Sequence, residues 1–282
     1  MQWTAEKKQE LKDLWSEPGA TMSTIAKAMG VTRNSIIGAS NRLGLSFAHN
    51  GATPLSIRDR GAAKAGHTAY PSRVMDPDDF VLKPGKYQRK LVSVVKKGLW
   101  TGFPIYSLTL EERATCPKTC EQWQGCFGNH MHNASRYRHG DALDVEIKRE
   151  VANLAHTHPA GFVVRLHILG DFVSVPYVKM WADLLLTYPA LHIFGYTHWK
   201  RGTEIGDAVA KLRDAWWWRF AIRTSDANAS EGPRTVVIED KSQLPRGAII
   251  CPAQVGVGRT CSTCALCWSP AAKNKTIAFL RH

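Results

Sequence analysis

The chain has 282 residues, enough for one sizeable core and a small appended unit, and its 44% hydrophobic and 22% charged content is that of an ordinary globular protein. Its N-terminus lacks the apolar core of a secretory signal, and no apolar run approaches the roughly 20 residues that span a bilayer, so the chain reads as cytoplasmic with no membrane partner. A formal net charge of +13 and a pI near 9.5 favour polyanion partners, because contacts to phosphates release counterions.

Residues 3 to about 45 read as three short helices. Leu11, Leu14 and Trp15 recur at helical spacing in the first, and Pro18-Gly19 breaks it. Ser23 is placed to N-cap a second helix carrying Ile25, Ala26 and Met29, which Gly30 ends. Thr32 is placed to N-cap a third, with Arg33, Asn34, Ser35, Ile36, Ile37 and Arg42, closed by Gly44. A helix, a Gly-containing turn and a basic polar helix make a helix-turn-helix candidate. Arg33, Asn34 and Ser35 then open the recognition helix, where Arg pairs with guanine and Asn with adenine, and Arg42 follows on the same helix. A three-helix bundle with no DNA role fits the same pattern.

The stretch Trp3-Thr4-x-Glu6, Leu11-x-x-Leu14-Trp15, Ile25-Ala26, Gly30 to Gly38 and Arg42-Leu43-Gly44-Leu45 resembles the N-terminal domain of the GcrA cell-cycle regulators. The resemblance covers about the first 46 residues, marking 1–46 as a DNA-binding domain. It implies binding to double-stranded DNA and association with host RNA polymerase. The family's polymerase-contacting C-terminal part has no visible counterpart here.

Gly51, Pro54, Gly61, Gly66, Pro71, Pro77 and Pro84-Gly85 punctuate residues 47–85, which read as a flexible basic linker carrying Arg58, Arg60, Lys64 and Arg73. From 86 to 282 strands and helices alternate. Strands are predicted over 105–110, 162–169, 191–197 and 219–223, with helices over 138–156, 175–187 and about 204–216. The predicted fold class is therefore α/β: a small three-helix domain plus a parallel-sheet, partial-barrel-like, cysteine-rich domain. The run Trp216-Trp217-Trp218 reads as a core element or a helix end facing two sides, with a base-stacking platform as the alternative. Ligands in such folds sit at the C-terminal strand ends. The first cysteine group, Gly170-Asp171, Thr197-His198 and Ser225 all fall there.

The seven cysteines form two groups, Cys116, Cys120 and Cys126 (C-x3-C-x5-C) and Cys251, Cys261, Cys264 and Cys267 (C-x9-C-x2-C-x2-C). In a reducing compartment, clustered thiols point to metal ligands rather than disulfides. The three-cysteine loop suits an iron-sulfur cluster with one open iron, or a zinc completed by His130 or His132. Cys261-x2-Cys264-x2-Cys267 matches the ferredoxin run, with Cys251-Pro252 as a distant fourth ligand, so a 4Fe-4S cluster or a zinc held by four cysteines fits the tail. One joint site for all seven fits as well.

A strand feeding a three-cysteine loop, an aromatic Phe127 after Cys126 and a glycine-acid turn one unit later resemble the radical SAM enzymes. That resemblance implies S-adenosylmethionine on the open iron, with Gly170, Asp171, Thr197 and Ser225 as cofactor-binding positions. The cysteine spacing is longer than the family's usual C-x3-C-x2-C, the turn carries one glycine and a shorter acid, and the sheet reads as truncated. Residues from about 86 to 282 also resemble a bacteriophage family known as gene product eighty-eight. The resemblance is carried by Thr115-Cys116-Pro117, His167-x-x-Gly170-Asp171-Phe172-x-Ser174, Tyr196-Thr197, Cys251-Pro252-Ala253-Gln254 and the Cys261 to Trp268 tail. It implies a phage or prophage origin in a bacterial host and no established reaction. The leading expectation is a DNA-targeted iron-sulfur protein of radical SAM type, with catalytic residues unassigned. The runner-up is a non-catalytic transcription regulator with a redox-sensing or structural iron-sulfur or zinc centre.

Overall fold

The computed structural model describes residues 3–17, 20–43, 45, 56–78, 80–226, 232–256 and 258–281. Pro18-Gly19, Gly44, Gly51 and Pro54, read above as breakers, lie outside the described residues. The chain divides into two units, Met1–Pro54 and Leu55–His282.

The first unit holds α1 (Ala5–Ser16), α2 (Met22–Ala28) and α3 (Arg33–Leu43). Thr4 caps α1 by accepting from the Lys7 N–H, and Glu6 sits at the positive end of the helix dipole. The cap of α2 is Thr21, not Ser23: Thr21 and Thr24 satisfy each other's backbone N–H groups in a capping box, which leaves Ser23 inside the first turn. Gly30 takes a φ of 63°, the left-handed bend that turns the chain from α2 toward α3. Leu11, Trp15, Ile25, Ala26, Ile36 and Ala39 form the core that joins the three helices.

In the second unit, α4 (Ile57–Ala65) precedes β1 (Val74–Met75) and β2 (Lys83–Pro84). Next come β3 (Ile105–Ser107), β4 (Arg136–Tyr137), α5 (Asp141–Thr157), β5 (Phe162–Leu166), α6 (Val175–Thr187), β6 (Leu191–Thr197), α7 (Glu204–Trp216) and β7 (Phe220–Ser225). The chain ends with β8 (Arg234–Ile238), β9 (Ile249–Ile250), the short helices α8 (Pro252–Val255) and α9 (Cys261–Cys264), and β10 (Ile277–Leu280). Eight strands lie in the order β2-β3-β5-β6-β7-β8-β10-β9. All neighbours are parallel except β2 against β3. The sheet is thus not truncated after four strands. The added strands β8 and β10 are short and follow loops rather than long helices, so strand-helix alternation did not signal them.

The α/β class follows from the near-continuous apolar run of β5, which suits a strand covered on both faces. Alternate residues serve two cores. Phe162, Val164, Leu166, Leu191, Ile193, Phe220 and Ile222 face α5, α6 and α7. Val163, Phe194 and Ala221 face Trp100, Trp217, Trp268 and the cysteine tail. The tryptophan run ends α7 facing two ways: Trp216 packs on the helix-side core and Trp217 is buried on the other. Strands β3 and β5 are shorter than predicted. Beyond Ser107 the chain still pairs irregularly, Leu110 N–H donating to Leu169 O at 3.0 Å.

The segment expected as a linker is, from Ser56 on, built into the second unit. Ser56 caps α4 through the Asp59 N–H. Trp123 Nε1 donates to Ala63 O at 2.9 Å, and the Tyr70 hydroxyl to Asn129 O at 2.6 Å. The Val81 and Leu82 N–H groups donate to the buried Glu150 carboxylate at 2.5 and 2.9 Å. These partners lie far along the chain, which is why local composition read the segment as free.

Candidate functional site

The loop from β3 to β4 carries Cys116, Cys120 and Cys126 on a framework of buried ions. Glu112 and Arg136 meet with no solvent access, Nε to Oε2 at 2.6 Å and Nη2 to Oε1 at 3.1 Å. Thr68 Oγ1 donates to the same carboxylate at 2.6 Å. Arg136 also donates to the carbonyls of Gly128, Met131 and Ala134. Arg113, at a φ of 66°, donates to Trp123 O, His67 O and Asn129 Oδ1. Two guanidiniums thus fix the cysteine loop from beneath. Burial pushes Cys120 up to about 12, with the charges of Cys126 and Asp171 adding to it, and burial raises Cys116 and Cys126.

The expected strand-end residues come together in part. Gly170 has a φ of 84°, and a Cβ there would stand 2.6 Å from both Leu110 Cβ and Thr115 Oγ1. The turn after β5 therefore presses directly on the loop that bears Cys116. Asp171 is buried among donors: Phe172 N–H at 2.8 Å, Thr197 Oγ1 at 2.8 Å and His198 N–H at 2.7 Å. Burial nonetheless holds its carboxyl up at about 7. Asp171 and Thr197 thus tie the ends of β5 and β6 to each other. Lys200 then reaches Asp226 after β7 at 3.3 Å and Glu121 of the cysteine loop at 3.9 Å. Ser225 is half-buried and pairs with Thr235 in the ladder. His130 and His132 are exposed and line a separate cavity described below.

The tail places Cys251, Cys261, Cys264 and Cys267 around one small, mainly apolar pocket on the sheet face opposite the helices. Thr260 and Thr263 form a capping box that starts α9 at Cys261. Arg223 of β7 is fully buried and holds the tail by donating to Cys267 O at 3.0 Å, Ala272 O at 2.7 Å and Lys275 O at 2.9 Å. Arg165 of β5 lies over the rings of Tyr196 and Phe194. Burial pushes Cys261 up to about 12 and Cys251 to about 11, and Cys267 upward. Arg165 opposes the rise at Cys261, and Arg223 and Arg165 oppose it at Cys267. Trp268 lines the pocket, and its buried indole N–H has no partner among the described residues.

Among the described residues, no three His, Cys, Asp or Glu side chains stand close enough to grip a metal ion as they are. Two of the thiols have hydrogen-bond partners of a kind that a ligating thiolate can keep: Cys126 Sγ accepts from the Gly128 N–H at 3.4 Å, and Cys267 Sγ lies 2.9 Å from the Tyr196 hydroxyl. No cysteine of the first group lines the tail pocket. The arginines that organise both groups, Arg113, Arg136, Arg165 and Arg223, were missed from sequence. A cation in a sequence reads as surface charge unless its acceptors are known.

On α3, Arg33, Asn34 and Arg42 are exposed. Thr32 Oγ1 accepts from the Ser35 N–H and meets Ser35 Oγ at 2.9 Å, so the Ser35 hydroxyl serves the cap. The Arg42 guanidinium lies over Gly38, one turn back, with Nη1 3.6 Å from where a Cβ would stand. Residues 20–45 contain no aspartate or glutamate; the four acids of residues 1–46 all precede them. Residues 1–96 match the GcrA cell cycle regulator family. The GcrA-like stretch is 96 of 282 residues, so it takes in the whole first unit and continues through α4, β1 and β2 of the second. Its second part is the portion expected as a linker. No curated protein and no solved structure matches the chain. No helix among the described residues is long and apolar enough to cross a membrane.

Proposed function

We propose that this chain is a DNA-binding regulator of phage or prophage origin whose α/β unit carries an iron-sulfur centre. The DNA part rests on α3. Its exposed Arg33 and Asn34 stand at the helix start, on a stretch free of acids, inside the GcrA-like match. Host RNA polymerase is the second partner that this match suggests.

The observation that carries the metal reading is the gathering of four tail cysteines around one pocket. The donor set fits a cluster. Four thiols supply the ligands, Arg165 and Arg223 supply compensating positive charge, and the orphan Trp268 N–H supplies a donor for sulfur. When bound, such a cluster supplies a one-electron couple and a rigid cross-link. The chain's own residues exclude water from it and fix the tail to the sheet. A zinc bound by the four thiolates is the rival occupant of the same ligands.

A second reading places a three-thiolate cluster on Cys116, Cys120 and Cys126, with S-adenosylmethionine beside Gly170, Thr197 and Ser225. The pressing of the Gly170 turn on the cysteine loop favours it. Asp171, already accepting three hydrogen bonds, acts in this reading as a positioning residue rather than an amine ligand.

Anaerobically prepared protein is expected to show the visible absorption of thiolate-bound iron. Cys264→Ser should remove the tail contribution, and Arg33→Ala should leave it intact while weakening binding to a duplex selected from random sequence. A colourless protein with unchanged duplex binding in both variants contradicts the proposal. Release of 5′-deoxyadenosine from S-adenosylmethionine under reduction would establish the second reading, and its absence from a cluster-loaded chain would exclude it.

A further inference from the structure

A cavity of about 440 Å³ lies beside β2 and β3, away from the tail pocket. Its lining includes Lys83, Tyr87, Gln88, Thr109, His132 and Asn133, and no carboxylate lines it among the described residues. That size falls within the about 300–1,000 Å³ of small-ligand sites. Asp78 is the acid that reaches its rim. It is taken up by the Tyr137 hydroxyl at 3.0 Å and Lys83 Nζ at 3.6 Å.

The surrounding sequence is one-sided. From Phe80 to Leu110 there are six lysines and arginines and no aspartate or glutamate. Lys86, Arg89 and Lys90 are exposed beside Tyr87. Tyr87 itself is 69% exposed, with Lys86 Nζ 5.2 Å from its ring centre. A large aromatic left open to solvent amid cations gains nothing for the fold. It does offer a stacking face, which bases use regardless of sequence.

We infer that this cavity is a nucleotide site in which a base stacks on Tyr87, Gln88 and Asn133 meet the base edge, and Lys83 and Lys86 hold the phosphate. Amide side chains present a donor and an acceptor together, the pattern a base edge complements. Asp78 beside Lys83 is partly neutralised by that lysine and by the Tyr137 hydroxyl, and exposed Lys86, Arg89 and Lys90 nearby leave the balance of charge favourable to a phosphate. The ligand is either a free mononucleotide or one nucleotide of a single strand. No cysteine lines this cavity, although residues 130–135 of its wall belong to the loop that carries the first cysteine group; the proposed contacts use no thiol.

The test uses the full chain and a fluorescently labelled oligothymidylate, with binding read by anisotropy. Tyr87→Ala is expected to weaken binding about tenfold, while Tyr87→Trp retains it. Lys179→Ala, which removes an exposed cation of α6 far along the chain from the cavity lining, leaves strand binding unchanged. Competition by millimolar dTMP or AMP assigns the site to mononucleotides; binding of the strand alone assigns it to single-stranded nucleic acid. A strand carrying 4-thiothymidine is expected to crosslink within the Lys83–Gln88 segment. Wild-type affinity in Tyr87→Ala, with circular dichroism showing a folded chain, overturns the inference. So does crosslinking confined to α3.

Discussion

Glu112 and Arg136 have exchanged water for each other and for the Thr68 hydroxyl, and neither tolerates loss of its partner. Glu112→Gln leaves a buried guanidinium short of its counter-charge, so unfolding free energy should fall by about 3–5 kcal/mol in denaturant titration. Glu112→Gln combined with Arg136→Met should recover part of that loss; a double variant as unstable as the sum would show that the two do not act as a pair. At Gly170 a methyl group meets Leu110 and Thr115, and the backbone angle is one that alanine resists. Gly170→Ala should cost more than about 1 kcal/mol and speed alkylation of Cys116, because the loop must move away. Unchanged alkylation would mean that the turn does not position that loop. The glycine-acid turn was legible in the sequence as a motif. That its acid also ties in the end of β6 was not, since its donors Thr197 and His198 arrive only with the next strand.

At the scale of elements, caps and periodicity fixed the long pieces. The helix over 175–187 starts where Ser174 accepts from the Tyr177 N–H, and β6 covers the apolar run 191–197. Short pieces were illegible. Two-residue strands such as β1 and β2 carry no periodicity, and α4 hides between glycines, Gly61 within it and Gly66 closing it at a φ of 74°. Residues 56–85 therefore read as a tether, although buried Glu150 and Glu112 hold them. The role of α3 is tested at this scale. Arg33→Ala or Asn34→Ala should each cost about 1–3 kcal/mol on a selected duplex and relax preference at one base position, leaving the melting temperature unchanged. A variant that binds every duplex with the parent chain's affinity would mean that α3 does not read bases.

Over the whole molecule, positive charge is segregated: 20–45 and 80–110 hold no acids. Acid lability has a separate source. Burial holds His167 down at about 3, with Arg165 adding to it, and burial holds His198 down at about 4. Both imidazoles are neutral in the fold, whereas the unfolded chain protonates them near 6.5. Their contribution is complete above that pH, and is lost progressively as the pH falls toward 4 and then 3. The melting temperature should drop over that window. A variant with His167→Gln and His198→Gln should show a shallower drop; an unchanged slope would place the protons elsewhere. The iron-sulfur reading meets its most direct test in chemical analysis of anaerobically purified, full-length protein for iron, acid-labile sulfide and zinc per chain. Iron and sulfide in equal amounts, near four each and lost on replacing Cys261 and Cys264, are the expected result. One zinc per chain with no sulfide, or no metal at all, would contradict it.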